Sequence, residues 1–96
     1  MNLTKNQERF KELLSEVPKW IADLFSFDQY GYVHLSEVPK LSGLSYHEKA
    51  MVAFVMMIYS GNCKNYPKQH ILENFGGLDL SKRQLIVNWC CDPFWM

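Results

Sequence analysis

The chain predicts an all-α fold, a compact single-domain bundle of five to six short helices around one central apolar helix. At most one short extended segment is expected, near residues 32–35. Three observations predict this. Apolar residues recur with helical spacing as Phe10, Leu13, Leu14, Val17, Trp20, Ile21, Leu24 and Phe25. The run from Ala50 to Tyr59 is apolar nearly all round, as a helix is when other helices surround it. Paired start signals, a hydroxyl residue followed three positions later by Gln or Glu, recur at Thr4–Gln7, Ser45–Glu48 and Ser81–Gln84.

The first helix begins after Thr4, whose hydroxyl can accept from the third helical N–H while Gln7 returns the bond. Its apolar phase survives Pro18, but proline removes one backbone bond and clashes with the preceding turn, so a kink or restart is expected between Ser15 and Pro18. The hexapeptide Leu-Ser-Glu-Val-Pro-Lys occurs twice, at 14–19 and 35–40. Both copies read as a helix start, with Ser before a helical turn and Pro inside its first turn, where a missing N–H does no harm. The flanking residues match poorly, so duplication of a larger unit has no support.

Between the copies, Asp28 to Gly31 predicts a turn, Tyr32 to Leu35 a short extended piece, and Ser36 the cap of a following helix. After Ser42-Gly43, Ser45 opens the central helix and Gly61 closes it. A further helix is expected from Pro67 to Phe75 with Gly76 as its positive-φ stop. The last starts at Ser81 and runs to about Cys91, ahead of Pro93.

Ninety-six residues suffice for one domain, taken as 1–96, and one core. Ten basic residues balance ten acidic ones, so no general attraction to phosphate backbones or anionic membranes is built in. The longest apolar run is too short to span a bilayer, and Lys5, Glu8, Arg9 and Glu12 interrupt any signal-peptide core. Three cysteines, two of them adjacent, make no disulfide framework and suit the reducing cytoplasm.

The segment Ser26 to Glu37 resembles a calcium-binding EF-hand loop in spacing: Asp28, Gly31, Val33 and Glu37 fall at the third, sixth, eighth and twelfth positions. Its chemistry departs from that pattern. Ser26 stands where the leading aspartate belongs, Tyr30 replaces a short ligand, and two carboxylates in one unpaired loop make a poor cage. No metal site is therefore assigned. Cys63, Cys90, Cys91, His34, His47 and His70 show no spacing that pairs two ligands or a nucleophile with its base, so no catalytic residue, cofactor or enzyme activity is assigned either. Cys90, beside Trp89, reads as a core residue, and His47 and His70 as exposed.

Function is expected to be binding. Trp89, Phe94, Trp95 and Met96 form an aromatic carboxyl-terminal stretch that either closes the core or serves as anchors for a protein partner or a second copy. The expected protein is a small cytosolic interaction or regulatory module, with a homodimer as one form of it and no membrane partner. The alternative is a helix-turn-helix-like DNA binder built from residues 67–91, with Lys82, Arg83, Gln84 and Asn88 on the second helix facing phosphates and base edges. The turn from Gly76 to Leu80 is longer than that motif normally carries.

Overall fold

A computed structural model describes residues 4–37, 39–40, 42–61 and 69–96. Among the described residues the fold is mostly helical, and a small two-stranded sheet joins the expected helices. It divides into two compact units, Met1–Pro39 and Lys40–Met96. No described helix is long and apolar enough to cross a membrane.

In the first unit, helix α1 spans Lys5–Leu14. The capping box forms: Gln7 N–H donates to Thr4 Oγ1 at 3.1 Å, and Thr4 N–H donates to Gln7 Oε1 at 2.8 Å. Phe10, Leu13 and Leu14 are buried, the expected stripe. The expected interruption is a full stop and restart. Ser15 caps the carboxyl end of α1, and α2 covers only Lys19–Ala22. The reading of the first hexapeptide is corrected in detail. Ser15 ends a helix instead of starting one, and Pro18 stands just before α2 with ψ of 139°, its carbonyl accepting from the N–H groups of Ile21 and Ala22.

The stripe also ends earlier than its period suggests. Phe25–Phe27 is a strand, β1, paired antiparallel with β2, Val33–Leu35. Each strand reads apolar, polar, apolar. The register sets Phe25 opposite Leu35 and Phe27 opposite Val33, with Ser26 opposite His34, so apolar pairs share one face and the polar pair takes the other. That pairing overrides the helical phase of Phe25, whose ring meets Phe10 edge to face at 5.3 Å. Trp20, also counted in the stripe, is 39% exposed.

Gly31 takes φ of 86° between the strands, as expected of the turn. Beyond β2 the expectation fails: Ser36 and Glu37 form a bend, and no helix starts among the described residues between 36 and 45. Val38 and Leu41 lie outside those residues.

In the second unit, α3 spans Tyr46–Ser60 with both expected ends. Ser45 Oγ accepts from Glu48 N–H at 3.2 Å, Glu48 Oε1 accepts from Ser45 N–H at 3.0 Å, and Gly61 closes the helix in the left-handed region at φ of 74°. Every residue from Ala50 to Ile58 is buried, more than two consecutive turns. Helix α4 spans Gln69–Asn74, and Phe75–Gly77 tightens into a 3-10 turn. Gly76 therefore stops the helix without positive φ, contrary to expectation. Pro67, the expected start, lies outside the described residues. Helix α5 spans Leu80–Cys91, capped by Asp79 and not by Ser81. Asp79 Oδ1 accepts from Lys82 N–H at 3.0 Å, and Ser81 donates its hydroxyl to the same oxygen at 2.8 Å. Aspartate is the stronger cap because its carboxylate also faces the positive end of the helix dipole.

Candidate interaction surface

Helix α5 stops where Pro93 follows Asp92, since proline cannot extend the hydrogen-bond ladder. The tail then folds back. Trp89 donates its indole N–H to the Phe94 carbonyl at 3.0 Å, and Met96 N–H donates to the Ile58 carbonyl at 3.1 Å. Ile58 sits in the last turn of α3, where carbonyls lack partners within the helix, so the tail satisfies one of them.

The aromatic residues singled out from sequence thus meet in one place with different burial. Trp89 packs edge to face on Phe54 of α3, with ring centroids 5.8 Å apart, and on Trp95 at 5.1 Å. Phe94 is 7% exposed and closes the core, whereas Trp95 remains 46% exposed. Met96 is half-buried. The tail therefore buries one large aromatic side chain and leaves the next half-exposed.

Beside this cluster lies an apolar groove of about 470 Å³. Phe54 and Met57 of α3 line it, with Ile71 and Leu72 of α4 and Phe75 of the 3-10 turn. Helix α5 contributes Ile86, Val87, Trp89, Cys90 and Cys91. Its rim carries exposed Leu72 and Val87, 71% and 42% accessible. Sequence reasoning passed over this groove and placed Cys90 in the core. Both Cys90 and Cys91 are exposed and joined in no disulfide. A signal was present: α5 carries apolar residues at 85, 86, 87, 89, 90 and 91, more than one buried face can absorb.

The residues of the DNA-binding alternative lie on the same helix. Gln84 and Asn88 are exposed, one turn apart, and Gln84 Nε2 donates to Asn88 Oδ1 at 2.8 Å. Lys82 and Arg83 are half-buried. The Nε of Arg83 is buried without a hydrogen-bond partner among the described residues. Bonds from Lys82 N–H and then from the Ser81 hydroxyl hold the Asp79 carboxyl below its ordinary value.

In the first unit, Asp28 spends its carboxylate on the hairpin. Its Oδ1 accepts from the N–H groups of Tyr30 at 2.8 Å and Tyr32 at 3.0 Å, and its Oδ2 lies 2.8 Å from His34 Nε2. Glu37 is exposed in the bend after β2. Among the described residues no three His, Cys, Asp or Glu side chains are grouped to hold a metal ion. His47 is exposed, while Cys63 and the His70 side chain lie outside the described residues.

Comparison with known proteins yields no relative: no protein-family model matches the chain, no curated protein is significantly similar in sequence, and no solved structure is significantly similar in fold.

Proposed function

We propose that this chain is a small cytosolic protein-interaction or regulatory module that works without catalysis and recognises its partner, a second copy in the simplest case, through Trp95. In this reading α3 is the centre of an all-α bundle, an arrangement supported by its nine consecutive buried residues.

One observation carries the reading: Trp95 is held in place yet half-exposed. The Trp89 ring braces it, buried Phe94 fixes the residue before it, and the Met96 N–H bond to α3 fixes the residue after it. A tryptophan whose conformational freedom is already spent binds with little further entropic cost, which is the profile of an interface anchor. The free thiols of Cys90 and Cys91 fit a reducing compartment.

The test is sedimentation equilibrium of the full chain and of Trp95→Ala. The expected result is a wild-type mass that rises with concentration to that of a dimer, and a variant that stays monomeric. A wild type that remains monomeric at millimolar concentration removes the homodimer. If Trp95→Ala then also retains every protein the wild type captures, the interaction reading is wrong.

A second reading, DNA contact through α5, draws on the exposure of Gln84 and Asn88 one turn apart beside Lys82. Its test is a salt titration of binding to random duplex, and no affinity at low salt would remove it.

A further inference from the structure

We propose that Cys90 and Cys91 form an S-acylation site, at which one thiol carries a long fatty acyl chain as a thioester and the chain lies in the apolar groove of the second unit. This goes beyond the interaction reading and does not rest on it. Two independent features meet here. The first is chemical: two adjacent, exposed, free thiols occupy the last turn of α5 and both line the groove. The second is the groove itself.

Among the described residues, no charged, amide or hydroxyl side chain lines the groove. Apart from the two thiols, the polar group among its described lining side chains is the indole N–H of Trp89, which is already donated to the Phe94 carbonyl. A ligand against these described walls finds little to hydrogen-bond, which favours hydrocarbon for its buried part. The volume of about 470 Å³ fits an unbranched chain. Allowing each methylene about the 30 Å³ share of a water molecule, there is room for on the order of fifteen carbons. A shorter acyl group would leave much of the groove facing water.

The reaction needs an acyl thioester of the coenzyme A class as donor. The cysteine sulfur, as thiolate, attacks the carbonyl carbon. A new carbon–sulfur bond forms, the donor's bond breaks, and coenzyme A leaves as a thiolate that takes up the proton the cysteine lost. Nothing is oxidised or reduced. A chain bound in the groove holds its carbonyl near the thiols, so long-chain donors react faster than short ones.

The experiment incubates the full chain with palmitoyl-coenzyme A or acetyl-coenzyme A, each below its micelle concentration. Intact mass, release by hydroxylamine and peptide mapping report the product. Expected is one hydroxylamine-labile palmitoyl group on Cys90 or Cys91, formed about tenfold or more faster than the acetyl product. Cys90→Ser with Cys91→Ser abolishes it. The groove variant Leu72→Gln with Val87→Gln, both at exposed positions, lowers the ratio of palmitoyl to acetyl rate to about one. Equal rates for the two donors in the wild type, labelling confined to Cys63, or no labelling would overturn the proposal. None of these outcomes bears on dimer formation through Trp95, which sedimentation reads separately.

Discussion

His34 Nε2 lies 2.8 Å from Asp28 Oδ2 across the β1–β2 hairpin, while the other oxygen of the same carboxylate accepts from the N–H groups of Tyr30 and Tyr32. A carboxylate can only accept, so His34 Nε2 is the donor in this bond. One side chain thereby fastens the turn and the second strand together.

This arrangement predicts an acid-sensitive hairpin. The His34 bond first, then the backbone N–H groups, hold the Asp28 carboxyl below its ordinary value of 3.8. A group depressed in the folded state contributes stability that is fully present above the unfolded value and lost as pH falls through the folded one. Amide protection at Tyr30 and Tyr32, the exchange rate relative to the intrinsic rate at each pH, should therefore hold above about pH 5 and fall away below 3.8. Asp28→Asn, which keeps an acceptor for the backbone N–H groups, should flatten this acid limb, and Asp28→Ala should speed exchange at every pH.

Calcium should not bind here. The ion would have to displace three hydrogen bonds from Asp28 with little further charge to compensate. A titration followed by the amide signals of Gly31 and Glu37 should show no saturable shift, and a saturable one would contradict the hairpin geometry.

The carboxyl-terminal tail should loosen when one bond is removed. Trp89→Phe retains the aromatic packing on Phe54 and Trp95 but deletes the donor to the Phe94 carbonyl. The expected cost is about 1 kcal/mol in chemical denaturation. Faster exchange of the Met96 amide and a red-shifted Trp95 emission should accompany it.

Both ends of α3 should be separately sensitive. Ser45→Ala removes the cap acceptor and should cost about 1 kcal/mol. Gly61→Ala meets no atom within 4 Å, so its cost is the left-handed backbone alone, also about 1 kcal/mol. The two sites lie at opposite ends of a fifteen-residue helix, so the double variant should be additive.

Gly77 should prove coupled to His47. A Cβ at Gly77 would fall 2.5 Å from His47 Nε2, too close for any real contact. Gly77→Ala should therefore destabilise the wild type, and His47→Ala should relieve most of the effect in a double-mutant cycle. Equal destabilisation in both backgrounds would mean that the ring moves away without cost.

The elements legible in the sequence are those set by neighbours three or four residues away. Thr4–Gln7 and Ser45–Glu48 close capping boxes at the expected positions, and Gly61 ends α3 because an L side chain is strained in the left-handed region. The aromatic cluster was legible as a set of residues but not in its burial. Nothing local says that Phe94 turns inward while Trp95 stays half-exposed, because the Ile58 carbonyl that receives Met96 lies far back in the chain. The groove escaped notice for the same reason. Its walls come from α3, α4 and α5, and no single segment shows that Cys90 and Cys91 face a depression and not the core.

The repeated Leu-Ser-Glu-Val-Pro-Lys separates the two kinds of information. By itself it specifies an interruption, since serine competes for backbone bonds and proline lacks a donor, and in both copies regular structure stops at the leucine. What the interruption joins is a tertiary matter. At 14–19 Leu14 ends a helix and Lys19 begins the next, whereas at 35–40 Leu35 ends a strand because Phe25 stands opposite to pair with it. Six identical residues cannot hold both outcomes within themselves; the partner across the sheet decides, because strand bonds are made between distant segments and helix bonds within one.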